Sequence, residues 1–240
     1  MDPQGVVLEG LDEQQHAAVT SGPNIPLVIF AGPGSGKTAV LIRRVAFAIR
    51  KGEDPAGILC LTFSRNAAEE LRSRLCALCG QAAAATVSVC TFHGFCMRLL
   101  RRHLPSFASM GYGTGFHICS REIQREVVRG CLELWLASPE GAEDTELALP
   151  GANMGSAVSL LIRQVERRKL MPCGASPGGC ARNDVASKRL DYVLPQYAHA
   201  LQVANSVDYA DLLLLAIRLL SESQEVLAEY QRKFSAMFVE

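Results

Sequence analysis

The sequence has no net charge, because 24 lysines and arginines balance 24 aspartates and glutamates over 240 residues. Without a global field, binding to nucleic acid or to an anionic surface has to come from a local patch. Long apolar runs are also missing. The longest, Leu212 to Ile217, falls far short of the ~20 residues that span a bilayer. Asp2 and Glu9 stand where a secretory signal would place its apolar stretch, so no export and no membrane partner is expected. Nine cysteines are many, yet they form no framework. Cys76-x-x-Cys79 has neither a second pair nor a histidine at ligand spacing beside it, so a zinc or redox role is the weaker reading. The cysteines are scattered, several inside apolar helical patterns, and are expected to be reduced, buried thiols of an intracellular protein. With 49% hydrophobic residues, the chain can build a core as one large domain or two small ones.

What is present centres on residues 27–38, LVIFAGPGSGKT. Leu27 to Phe30 predicts a short buried strand. Ala31, Gly32, Pro33, Gly34, Ser35 and Gly36 come next as a tight turn, then Lys37, Thr38 and an apolar-periodic helix from Val40. Glycine lets the backbone approach a ligand at positive φ. The turn and the helix start aim N–H groups at an anion. Lys37 would reach the outer phosphates, and the Thr38 hydroxyl would sit on Mg²⁺. The strict G-x-x-x-x-G-K-[ST] pattern wants glycine at position 31, where this chain has Ala31.

A short helix is expected at Leu11 to Val19, with Asp12 as its N-cap. Lys51-Gly52 ends the helix after Thr38. Ile58 to Phe63 predicts a second strand, Ser64 caps a helix over 66–79, and 81–85 reads as a small-residue connector. Val87 to Thr91 predicts a third strand, with a helix after it through Leu100. Strand, helix and strand in this order make βαβ units and a parallel sheet. From about Pro105 the character changes, with helices over 122–137, 158–170 and 185–204 and a break near Pro195. Loops at 106–115 and 138–155 and a Pro/Gly linker at 171–179 separate them. This stretch reads as an all-helical insertion. A helix over 212–220, an amphipathic stretch over 225–232 and a strand at 234–239 close the chain.

Four ordered segments, LDEQQ at 11–15, AGPGSGKT at 31–38, LTFSRNAA at 61–68 and TFHGFC at 91–96, resemble the UvrD/Rep-like group of superfamily 1 DNA helicases. DYADLL at 208–213 resembles a segment those proteins carry after a helical insertion. The resemblance covers most of residues 8–100 and 205–240. It implies an α/β fold, a RecA-like P-loop NTPase parallel sheet with an all-helical insertion subdomain. The ATP-binding domain would occupy 1–103 and 205–240, and the insertion 104–204. It further implies an ATP hydrolase that uses Mg²⁺ and moves 3′-to-5′ on single-stranded DNA, with a role in DNA repair and a location in the nucleus if the source is eukaryotic and otherwise in the cytoplasm.

By position, Gln15 resembles the glutamine that reads the adenine edge; a side-chain amide donates and accepts at once. Ala31 through Thr38 resemble the triphosphate contacts, with Lys37 and Thr38 catalytic and Thr38 on the metal. Thr62, Phe63 and Ala67, with Thr91, His93 and Phe95, match segments that meet single-stranded DNA. Hydroxyls and backbone N–H groups hold phosphates, and rings stack on bases. Taken singly, Phe63 and Phe95 also suit a core, and His93 a helix cap. Where the family often has arginine and lysine this chain has Ala39 and Asn66. Arg98/Arg101/Arg102 and Arg163/Arg167/Arg168/Lys169 suit either a nucleic-acid backbone or a solvated helix face.

The resemblance places Glu240 at the start of the acidic motif that holds Mg²⁺, with a second RecA-like domain beyond it. These 240 residues alone are therefore expected to bind nucleotide weakly and hydrolyse it negligibly. The alternatives are a non-catalytic nucleotide- or DNA-binding module and another P-loop enzyme such as a kinase; the ordered DNA segments argue against the kinase.

Overall fold

The structure, a computed structural model, describes residues 5–22, 26–105, 111–113, 115–144, 153–171 and 184–240. Its strands are β1 (Ile58–Thr62), β2 (Ser88–Thr91), β3 (His117–Ile118), β4 (Ser206–Val207) and β5 (Ala236–Val239). The chain divides into two compact units, Met1–Cys96 with Leu220–Glu240, and Met97–Leu219. The expected boundaries at 103/104 and 204/205 both lie within the second unit.

The first unit is built on a parallel sheet in the order β2-β1-β5. All five residues of β1 are buried, as a central strand with both faces covered requires. The helix Arg65–Cys79 makes the crossover from β1 to β2. It presses Ala68, Leu71 and Leu75 onto Ile58, Cys60, Val87 and Val89. Ser64 starts this helix by accepting the Ala67 N–H at 3.1 Å. The helix Lys37–Arg50 adds Ile42 and Val45 to the same core, while its Val40 and Ala46 pack with Val7 and Val19. Each fully buried Leu, Ile or Val contributes about 1.5–3 kcal/mol. The other face of β1 and β2 carries Leu59, Leu61 and Cys90, covered by Phe92, Phe95 and Phe234.

Two expectations for this unit fail. Leu27 to Phe30 is not a buried strand; no described ladder includes it, and Phe30 is 93% exposed. An apolar run supplies strand propensity, but a strand exists only where a neighbouring backbone takes its hydrogen bonds. Residues 81–86 are a helix rather than a connector. Gly80 at φ +82° ends the preceding helix, and four alanines, the strongest helix formers, start another at once.

The second unit packs the helices Arg121–Leu136, Met154–Leu170 and Val185–Val203. Its core includes Val128, Leu132, Trp135, Leu161, Val165, Val193, Tyr197 and Leu201. Among its described residues the regular structure is helical apart from a two-residue parallel ladder that pairs His117 with Ser206 and Ile118 with Val207. Val185–Val203 runs unbroken through Pro195. The ring removes one helical hydrogen bond, but Pro195 lies on the exposed side while Val193 and Tyr197 hold the inner face. Buried Asp144 accepts from Arg189 Nε at 2.8 Å, Arg189 Nη2 at 3.1 Å and Trp135 Nε1 at 3.0 Å. The linker expected at 171–179 lies, beyond Met171, outside the described residues.

Candidate nucleotide site and nucleic-acid interface

The glycine loop forms where the sequence puts it. Gly34 (φ +74°) and Gly36 (φ +81°) take the left-handed conformation, and the helix starts at Lys37. Ser35 closes the turn, its N–H and its hydroxyl both donating to the Gly32 carbonyl at 3.4 and 2.8 Å. No side chain caps the helix at Gly36, which leaves its first N–H groups to face an anion. The Lys37 ammonium donates to the Ala31 and Gly32 carbonyls at 2.9 and 2.6 Å. Ala31 to Ser35 and Lys37 are exposed, Pro33 included.

Two residues distant in sequence meet this loop. Gln15 sits in the first turn of the helix Glu13–Thr20 and donates from Nε2 to the Ser35 carbonyl at 3.2 Å. A Cβ on Gly36 would stand 3.3 Å from that nitrogen. Glu240, one residue past β5, accepts a hydrogen bond from the Thr38 hydroxyl. Its own N–H donates to Leu61 O of β1 at 3.0 Å, which extends the sheet pairing and fixes the carboxylate beside the loop. The resemblance puts Glu240 at the start of the acidic motif that holds Mg²⁺ but assigns it no contact of its own. The signal for it is its place directly after a strand, at the carboxyl end where parallel sheets bind ligands.

The expected nucleic-acid residues gather at the same sheet end. Thr62 and Thr91 are register partners at the carboxyl ends of β1 and β2. Their chemistry differs. Thr62 is fully buried and its hydroxyl donates to Ser64 O at 3.0 Å, so it shapes the turn. Thr91 is half-buried and accepts the Gly94 N–H at 3.1 Å. Phe63 is 84% exposed, with its ring free of the core. Ala67 gives its N–H to Ser64. Phe95 packs edge-on against Tyr230 at 5.6 Å between centroids and near Phe234 at 6.4 Å, so it serves the core. His93 is half-buried, and burial lowers its imidazole pKa, which favours the neutral ring.

One basic group separates from its cluster. Lys169 is buried and bridges Asp208 at 2.8 Å and Asp211 at 2.7 Å, over the ring of Tyr197. It is an internal counter-ion, not a backbone-tracking lysine. The described cysteines are free thiols, although Cys76 is exposed rather than buried. Among the described residues, no group of three or more His, Cys, Asp or Glu side chains is placed to hold a metal. No described helix is long and apolar enough to cross a membrane.

A parallel α/β sheet with a glycine loop feeding a helix that opens Lys-Thr defines a P-loop nucleotide-binding domain. The chain belongs to the UvrD/REP helicase family: the model of the UvrD/REP helicase N-terminal domain matches residues 11–240. ATP-dependent DNA helicase PcrA of Bacillus subtilis is 31% identical over 235 residues, 98% of this chain and 29% of that protein. ATP-dependent DNA helicase UvrD1 of Mycobacterium bovis is 30% identical over 239 residues, 99% of this chain and 29% of that protein. PcrA of Leuconostoc citreum is 31% identical over 233 residues, again 29% of its length. The chain thus spans under a third of the relatives it matches.

Proposed function

We propose that this chain is the ATP-binding and DNA-contacting N-terminal part of an ATP-dependent 3′-to-5′ DNA helicase. The names of its relatives support the class of activity, and family membership supports a RecA-like domain interrupted by an insertion. We take the first compact unit as the ATP-binding domain and the second as the insertion. The observation that carries the reading is the Gln15 amide on the Ser35 carbonyl, which joins the expected adenine reader to the phosphate cradle.

Gln15 would read the base. The N–H groups at the start of the helix Lys37–Arg50, with Lys37 turned off its two carbonyls, would hold the phosphates. Thr38 and Glu240 offer adjacent hard oxygen donors, a set that suits Mg²⁺, which keeps several waters and binds through one or two carboxylates plus phosphate. When bound, the ion neutralises charge on the phosphate oxygens. At the carboxyl ends of β1 and β2, Phe63 would stack on an unpaired base and Thr91 would contact phosphate. An intracellular location fits this role; the named relatives are bacterial and lend nothing to a nuclear one.

The test is coupling between the two ligands. Fluorescent ATP is titrated into the protein with Mg²⁺, with and without oligo(dT). The reading expects DNA to change ATP affinity, and ATP to change DNA affinity by the same factor. Nucleotide binding that single-stranded DNA leaves untouched would count against a DNA motor and for another P-loop activity.

A further inference from the structure

Cys76-x-x-Cys79 is a motif that nucleotide and DNA binding leave unused. Both thiols are free, Cys76 exposed and Cys79 half-buried, on the last turn of the helix Arg65–Cys79. Residues three apart on a helix are surface neighbours, with Cβ atoms ~5–6 Å apart. A disulfide needs ~3.5–4.5 Å, so a regular α-helix holds such a pair slightly too far apart to close. This pair sits where the helix can tighten. Gly80 follows at once with φ +82°, and its N–H donates to the Cys76 carbonyl at 2.9 Å. A 3₁₀ turn, frequent at helix C-termini, brings side chains i and i+3 into line. Moving the Cys79 N–H onto the Cys76 carbonyl makes such a turn and draws the two sulfurs together.

An arginine stands beside Cys79 with a donor to spare. Arg50, the last residue of the helix Lys37–Arg50, donates from Nη2 to Leu78 O at 2.8 Å. Its Nη1 is buried and has no hydrogen-bond partner among the described residues. A buried donor left unpaired is costly and calls for an explanation. Burial raises the Cys79 thiol above its ordinary pKa, and the Arg50 charge pulls against that rise. A thiolate at Cys79 would give Nη1 the acceptor it lacks. A metal would need more ligands than the pair, and among the described residues no group of three or more His, Cys, Asp or Glu side chains supplies them. Redox chemistry needs only the pair.

We propose that Cys76 and Cys79 form a reversible dithiol–disulfide site, oxidised by small-molecule disulfides of the glutathione class, in which Arg50 holds the Cys79 thiolate. Cys76, the exposed thiol, gives its proton to solvent and attacks one sulfur of the small disulfide. That S–S bond breaks, a mixed disulfide forms on Cys76, and one small thiolate leaves and takes up a proton. The Cys79 thiolate then attacks the Cys76 sulfur and expels the second small thiolate. Two electrons and two protons pass from the dithiol to the oxidant. The closed form holds a tightened turn, and strained disulfides are the ones readily reduced again.

The reduced full chain is incubated with oxidised glutathione over a range of pH, quenched with acid, alkylated and mapped by mass spectrometry. The wild type should lose two hydrogens, with Cys76 bonded to Cys79 and no persistent glutathione adduct. Cys79→Ser should instead keep glutathione on Cys76. Cys76→Ser should react at Cys79 about tenfold more slowly than the wild type reacts, because the remaining thiol is partly buried. Arg50→Gln should slow closure of the mixed disulfide several-fold near neutral pH and move its pH profile upward. Arg50→Lys, which keeps a cation, should stay near the wild type. Melting temperatures of the reduced proteins separate these effects from loss of fold. If Arg50→Gln folds poorly, Arg50→Met, which keeps an apolar stem, serves in its place. A stable glutathione adduct on Cys76 of the wild type, or Cys76 bonded to any other cysteine, overturns the site. Closure at the wild-type rate and pH profile in Arg50→Gln overturns the role of Arg50 alone.

Discussion

The Thr38 hydroxyl donates a hydrogen bond to the Glu240 carboxylate across 202 positions of sequence. The contact joins the first turn after the glycine loop to the end of β5. Replacing Thr38 with alanine removes one of the two oxygen donors proposed for Mg²⁺. Nucleotide affinity in Mg²⁺ should then fall about tenfold, the effect of roughly 1.4 kcal/mol, while affinity in EDTA stays as in the wild type. Titrations in the two buffers check this; equal losses in both would show that Thr38 supports the loop and not the ion.

The two phenylalanines of the expected DNA segments should part company. Phe63 projects from the surface, so Phe63→Ala should leave the melting temperature nearly unchanged. It should weaken binding to oligo(dT) by about 1–3 kcal/mol, the range for loss of one stacked base. Phe95 packs with Tyr230 and Phe234. Phe95→Ala should cost roughly 2–3 kcal/mol of stability, read by urea unfolding, with any loss of DNA binding tracking the loss of fold.

Lys169 between Asp208 and Asp211 predicts an asymmetry. Lys169→Met leaves two buried carboxylates without their cation and should cost about 3–5 kcal/mol. Asp211→Asn should cost much less, because it also removes a like charge. Burial pushes the Asp211 carboxyl above its usual range against the pull of Lys169, and Asp208 adds to the push. A raised carboxyl pKa adds stability that is fully present below the unfolded value and is lost as pH rises through the folded one. The stability of the wild type relative to Asp211→Asn should therefore grow as pH falls from 7 toward about 4. Asp208 opposes this only below that range. Burial alone would raise its carboxyl, but Lys169 and the hydrogen bonds to it outweigh burial and hold it low. Unfolding curves of both proteins across that range test the sign.

The thiols should react in order of exposure. Burial, with Cys90 nearby, pushes Cys60 to about 12 and Cys96 to about 11, so neither supplies thiolate near neutral pH. Cys76 is exposed. Brief alkylation of the native protein at pH 8, with peptide mapping afterwards, should modify Cys76, and Cys60 and Cys96 only after unfolding.

Much of the site was legible because its signals are local. Gly34 and Gly36 need positive φ whatever surrounds them, and Ser64 and Asp12 cap their helices through neighbours three residues on. ILCLTF reads as a buried strand because its apolar residues run without alternation. Other elements were illegible because their outcome depends on a partner. LVIF has the same apolar character, yet it joins no described ladder. Lys169 looks like one more base in a cluster of four with Arg163, Arg167 and Arg168, and only the fold brings Asp208 and Asp211 to it. Phe63 directly follows β1 and Phe95 lies in the first turn of the helix after β2; both suit a stacking ring in the sequence, yet one is solvated and the other packed.

The sequence by itself determined the glycine loop, the caps at Asp12 and Ser64 and the unit of β1, helix and β2, since these rest on backbone conformation and on residues a few positions apart. Only the tertiary structure decided which residues complete the site. Glu240 reaches Thr38 and Thr62 stands beside Thr91 because parallel strands bring their carboxyl ends together, and Gln15 reaches Ser35 because the helix Glu13–Thr20 packs through Val19 on Val40 of the helix that follows the loop. These contacts are set by sheet register and core packing, which no single segment encodes.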